Sequence, residues 1–177
     1  MLAVGAYALP AVAAWTLLGA GLGALPLGRA ALLLAVGYAA GYGLTEAAGR
    51  RWLPVPGTRW QVPQTMVVGS SARRRLLVWS TILGPGFATR NPYAAFGLLP
   101  AAVAAAGGVR AGAVLGAAIG LAHGSGRALA LLRDARPGAG ADPMRLVLVS
   151  MYWRTFDGYA LLVIAGTAAV ACARQFW

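Results

Sequence analysis

His123, Ser125 and Arg127 are the densest group of side chains in this sequence that can do chemistry, and Arg154 with Asp157 is the next. On a helix His123 and Arg127 stand four apart and share a face, so together they can hold an anion or a lipid headgroup. Ser125 lies two residues from His123 and points elsewhere; with no second histidine in the chain, a serine-hydrolase triad is excluded. Arg154 and Asp157, three apart, can pair on one face and so lower the cost of burying either. Glu46, near the end of an earlier apolar run, has Arg50, Arg127 and Arg154 as candidate partners. The rest of the inventory is thin. Four carboxylates, one histidine and the single Cys172 supply neither a metal-ligand set nor paired haem ligands, and a lone cysteine makes no intramolecular disulfide or dithiol relay. The expectation is no catalytic residue, no metal and no cofactor.

Arg90, Asn91 and Pro92 offer another chemistry. Asn91 can cap a helix that begins at Pro92, the position where proline is best tolerated. Such a half-helix presents free N–H groups and a positive dipole end beside Arg90, the arrangement by which discontinuous helices bind anionic groups in transporters. The simpler alternative is a proline kink, with Arg90 reaching the cytoplasmic interface. The run from Tyr152 to Tyr159 also has two readings. A span centred near residue 157 makes Arg154 and Asp157 a buried pair. A span over 158–174 makes the cluster an aromatic belt at the cytoplasmic surface, preceded by an interfacial helix, and that costs less.

These groups must be positioned by an apolar chain. Of 177 residues, 59% are hydrophobic and 11% charged, with mean hydropathy +0.68; a soluble domain carries about 25% charged residues. The fold class expected is therefore all-α, a polytopic integral membrane bundle. A span needs about 20 mostly apolar residues. Runs at 2–25, 30–48, 109–132 and 146–173 qualify, and the first is too long, and too poor in arginine at its start, for a signal peptide. The stretch 76–108 is apolar but broken at Gly84-Pro85-Gly86 and at Asn91-Pro92. As one straight helix it would be about 50 Å long, so it is one broken span, two short ones or a re-entrant pair.

Charge separates these options. All 15 basic residues are arginine, against four acids, for a net charge of +11. Loop 49–75 holds Arg50, Arg51, Arg59, Arg73, Arg74 and Arg75, and loop 133–145 holds Arg133, Arg136 and Arg145. One crossing at 76–108 puts both groups on one side and leaves Arg29, Arg110 and Arg174 opposite. The positive-inside rule then predicts one transmembrane domain over 1–177: five spans in the plasma membrane, N-terminus cytoplasmic and C-terminus outside. Pro54, Pro56 and Pro63 argue against a regular helix in loop 49–75, and Trp52 and Trp60 lay it on the interface with its arginines on anionic lipid headgroups. Because the arginines sit in loops between apolar runs, no nucleic-acid partner is expected.

Gly112, Gly116, Gly120 and Gly124 recur every four residues and align on one helix face, with a shorter version at Gly37 and Gly41. Such faces let another helix approach closely. The approaching helix is either part of the same chain, the simpler reading, or part of a partner subunit.

Leu83-Gly84-Pro85-Gly86, Thr89-Arg90-Asn91-Pro92 and the glycine-rich run ending Gly124-Ser125-Gly126-Arg127-Ala128 together resemble small bacterial membrane proteins of the cytochrome c biogenesis and thiol-disulfide type. The resemblance covers residues 80–132, about a third of the chain. It implies a helix broken at a proline motif and followed by a glycine-rich helix. In that family the broken helices carry paired cysteines that move electrons; none stands at these positions here, so electron transfer is not implied.

Two functions fit. One is a non-catalytic membrane subunit that packs through glycine-rich helices into a larger complex. The other is a small homo-oligomeric transporter or channel for an anionic or amphiphilic solute, lined by Arg90, Asn91, His123 and Arg127. Transport requires the ionisable groups of the third, fourth and fifth spans to converge. A subunit requires small residues that face outward from the chain's own bundle.

Overall fold

The computed structural model describes residues 2–49, 53, 65, 68, 69, 71, 74, 78, 80–82, 85, 86, 93–134 and 143–173. Five α-helices are described: α1 (Leu2–Gly23), α2 (Gly28–Ala47), α3 (Leu98–Ala105), α4 (Val109–Asp134) and α5 (Pro143–Ala173). A 3-10 turn, Ala94–Gly97, leads directly into α3. No strand occurs among the described residues. The protein is all-α.

The turn between α1 and α2 follows from Pro26, which disfavours helical backbone at Leu25; the chain reverses over four residues, and Leu27 N–H reaches Leu25 O at 2.8 Å. Between α3 and α4 the reversal uses Gly107 and Gly108, whose φ values of 63° and 89° suit residues without a Cβ. Gly108 N–H donates to Gly23 O at 2.9 Å, tying this turn to the end of α1.

Two antiparallel helix pairs result. In the first, α1 lies on α4 along a seam of missing side chains. Gly19 and Gly23 face Gly112, while Gly116 meets the Trp15 carbonyl and Gly120 lies on Ala11 and Val12. A Cβ built on Gly120 would stand 2.7 Å from the Val12 Cα, so the backbones themselves are in contact. In the second pair, α2 lies on α5, with Gly43 against Leu162 and the Gly158 carbonyl, and Gly158 against the backbone at Glu46 and Ala47. The 3-10 turn and α3 join the pairs, since α3 packs on α1, α4 and α2 while the turn packs on α5. Ala39, Ala94, Leu98, Leu161 and Ala165 form the core at that junction.

The glycine face of α4 is thus occupied by the chain's own α1. The glycines of α2 differ: among the described residues a Cβ built on Gly41 would meet only Leu53, and one on Gly37 would meet nothing within 4 Å. Side-chain size is distributed the same way. Among the described residues most buried apolar side chains are alanine, whereas Leu17, Leu33, Leu34, Val114, Leu121 and Val163 point outward. Among the described residues one helix, Gly28–Ala47, is long and apolar enough to cross a membrane, and Ala8–Gly23 and Ala94–Ala105 are shorter apolar segments.

Candidate functional site

The Ala94–Gly97 turn is where polar groups from different elements meet. The sequence expectation put the start of this half-helix at Pro92 with Asn91 as its cap. Asn91 and Pro92 lie outside the described residues, and the described turn begins at Ala94. Its N-cap is Tyr93, extended at φ −103° and ψ 126°, and Tyr93 makes no side-chain capping bond. The acceptor comes from another helix: Asp157 on α5 receives the Ala95 N–H on Oδ2 at 3.1 Å. A carboxylate at a helix N-terminus satisfies an orphan donor and complements the positive dipole end, so this half-helix is capped in trans.

Tyr38 on α2 completes the grip. Its hydroxyl donates to Ala94 O at 2.7 Å, and it reaches that carbonyl because Gly97 has no side chain; a Cβ there would collide with the phenol oxygen. Tyr42, one turn along α2, stacks on Tyr38 with ring centroids 4.4 Å apart.

Asp157 does not take Arg154 as its main partner. Arg154 donates to Glu46 Oε1 at 2.7 Å, joining the end of α2 to α5. Both side chains are mostly enclosed, at 14% exposure for Arg154 and 13% for Glu46. Of the pairings the sequence offered, the one formed is Glu46 with Arg154, and not Arg154 with Asp157. Because α2 and α5 run antiparallel, Glu46 faces Arg154, while Asp157, about one turn further along α5, faces the half-helix. The aromatics of this stretch take the other face. Tyr152, Trp153, Phe156 and Tyr159 are exposed, and Trp153 meets both Tyr152 and Phe156 edge-on at 5.9 and 5.7 Å.

A second cluster lies on the α1/α4 side of the same turn. Phe96 contacts Trp15 edge-on at 5.7 Å and the His123 ring at 5.1 Å. Trp15 is fully buried, and its indole N–H donates to Pro85 O at 2.7 Å. Gly86, at φ 84°, presses on both His123 and Phe96, where a Cβ would strike the imidazole Nε2. The break at Pro85-Gly86 is therefore pinned from below by α1 and α4. His123 Nε2 is buried and has no hydrogen-bond partner among the described residues. Phenylalanine at position 15 would keep the ring packing and orphan the Pro85 carbonyl. We expect Trp15→Phe to lower stability by about 1–2 kcal/mol, read as a fall in detergent melting temperature; an unchanged melting temperature would show that the bond contributes nothing.

Of the remaining candidates, Ser125 and Arg127 are half-buried on α4, and Gly124 is buried on the same helix. Arg90 and Asn91 lie outside the described residues. Among the described residues no group of three or more potential metal ligands occurs. Tyr38, Trp15 and Phe96 belong to the site and were not singled out from sequence, where they read as ordinary apolar-span aromatics. One signal was available: Tyr38 and Tyr42 place two hydroxyls one turn apart inside an otherwise apolar run.

No family model matches this chain, and neither a curated protein nor a solved structure matches it.

Proposed function

We propose that the chain is a five-span plasma-membrane protein, N-terminus cytoplasmic and C-terminus outside, in which the broken third element is the working part of a small homo-oligomeric transporter or channel for an anionic or amphiphilic solute. The observation that carries this reading is convergence: Tyr38 from α2, Asp157 from α5 and His123 from α4 all contact one 3-10 turn, with the Glu46–Arg154 pair about one turn of α5 away. The outward leucines and inward alanines suit a lipid environment, because an exposed apolar surface of that extent is rare on a soluble monomer. The nine loop arginines then rest on anionic headgroups. A helix broken at a proline motif and followed by a glycine-rich helix keeps the architecture of the cytochrome c biogenesis type without its electron transfer.

Two measurements test this. In proteoliposomes carrying chloride, phosphate or acetate gradients, Arg90→Ala is expected to abolish flux at unchanged protein level; normal flux would take Arg90 out of the path. For topology, a Gln175→Cys substitution in a Cys172→Ser background is expected to react with an impermeant maleimide on intact cells. Labelling only after lysis would overturn five spans in this orientation.

The second reading, a subunit of a larger complex, rests on α2, whose outward face at Leu33, Leu34 and Gly37 is open to another helix. Gly37→Leu would then remove a co-purifying partner while leaving the bundle intact, and a partner that stays bound would place any docking elsewhere.

A further inference from the structure

We propose that Asp157 is a proton-operated latch on the half-helix: ionised, it holds the Ala94–Gly97 turn in place; protonated, it lets go. The inference rests on the reading of the broken element as the working part and adds how that part is released.

The geometry makes Asp157 the only group able to do this among those described. Its Oδ2 accepts the Ala95 N–H, and the Ala94 N–H lies against the same carboxylate. No side chain from Ala94 to Ala105 carries a polar atom that can substitute, and Tyr93 supplies no cap. An ionised carboxylate makes charge-assisted bonds to backbone N–H groups and complements the positive end of the helix. Protonation removes that charge and turns one oxygen into a donor, which finds only other donors at a helix N-terminus.

The surroundings leave the proton one natural destination. From α2 the facing titratable groups are Tyr38, Tyr42 and Glu46; from α5 itself, Arg154; the half-helix has none. Glu46 is committed to Arg154. Tyr38 is committed as a donor to Ala94 O. That last bond does not depend on the ionisation of Asp157, so it remains as a pivot when the N–H side is freed. Release is then a rotation of the turn about the Tyr38 contact, away from α5, and not a loss of the whole half-helix.

Amide hydrogen exchange on the full chain in detergent, corrected for intrinsic rates, tests the latch. In the unsubstituted protein, protection of the Ala94–Gly97 amides is expected to fall about tenfold or more across a pH series carried down until the Asp157 carboxyl takes up its proton. Asp157→Asn keeps an acceptor oxygen but cannot titrate, so its protection is expected to be independent of pH. Glu46→Gln is expected to retain the fall. Flat protection in the unsubstituted chain would overturn the proposal, and so would an equal fall in Asp157→Asn. A fall abolished by Glu46→Gln would move the proton to the ion pair and overturn it as well. If Asp157→Asn does not fold, infrared spectroscopy decides: a protonated-carboxyl band must grow over the same pH range as the loss of protection, and its absence refutes the latch. Exchange needs no solute. Flat protection therefore sinks the latch alone, whereas pH-dependent protection in a protein without flux sinks the transport reading alone.

Discussion

Gly116→Leu is expected to abolish the folded bundle. A leucine at this position must occupy space filled by the Trp15 carbonyl and the Gly19 Cα, both backbone, which no rotamer change can move. The only relief is to push α1 away from α4, and that opens the seam at Gly112 and Gly120 too, because rigid helices separate along their length. Overpacking of a tight contact costs about 1–3 kcal/mol where side chains can shift; against immovable backbone the cost lies at or beyond the top of that range. Size-exclusion chromatography in mild detergent should show loss of the monodisperse species. Gly37→Leu, placed where no described residue lies near, provides the control and should elute normally. A Gly116→Leu protein that remains monodisperse with an unchanged melting temperature would mean that α1 and α4 do not meet at this seam.

Glu46→Gln is the second substitution with a large expected effect. It leaves the Arg154 guanidinium, 14% exposed, without the carboxylate that neutralises it. Removing one partner of an enclosed pair costs about 3–5 kcal/mol, most of it from the stranded charge. Asp157 is three residues away on the same helix face. Its carboxylate stays on the Ala95 N–H, so the loss falls on the α2–α5 contact and leaves the half-helix capped. The double substitution Glu46→Gln/Arg154→Met removes the stranded charge and should recover most of the loss. Melting temperatures of the two single variants and the double variant supply the cycle. Additive losses would show that the two residues act independently.

The helices were readable because apolar runs of this length, cut by Pro26, the Gly107-Gly108 pair and charged loops, leave little choice of element. The four-residue glycine spacing on α4 was readable as a contact face for the same reason, since it is a local periodicity. Its partner was not. Gly19 and Gly23 on α1 have the right spacing, but the choice of α1 over any other small-residue face is made by the three-dimensional order of the bundle. The ion pair shows the same limit. Local spacing offers Arg154 only Asp157, three residues on, whereas Glu46 lies 108 residues away in the chain and is brought to it by the antiparallel register of α2 and α5. The trans cap was hidden for a further reason. Asn91 and Pro92 form a strong local capping signal, whereas an acceptor on α5, 62 residues from the amide it serves, leaves no trace in the local sequence.

The α1–α4 seam also sets a problem of timing. Its two halves lie roughly ninety residues apart in the chain, which takes about 5–20 s to synthesise. If α1 enters the bilayer as it is made, it waits through that interval with the grooves at Gly19 and Gly23 turned towards lipid, while α2 and α3 are made first. The helix that closes the seam, α4, follows α2 and α3 in the chain, and until it arrives a chain inserted in this way depends on whatever shields a glycine groove at the site of insertion.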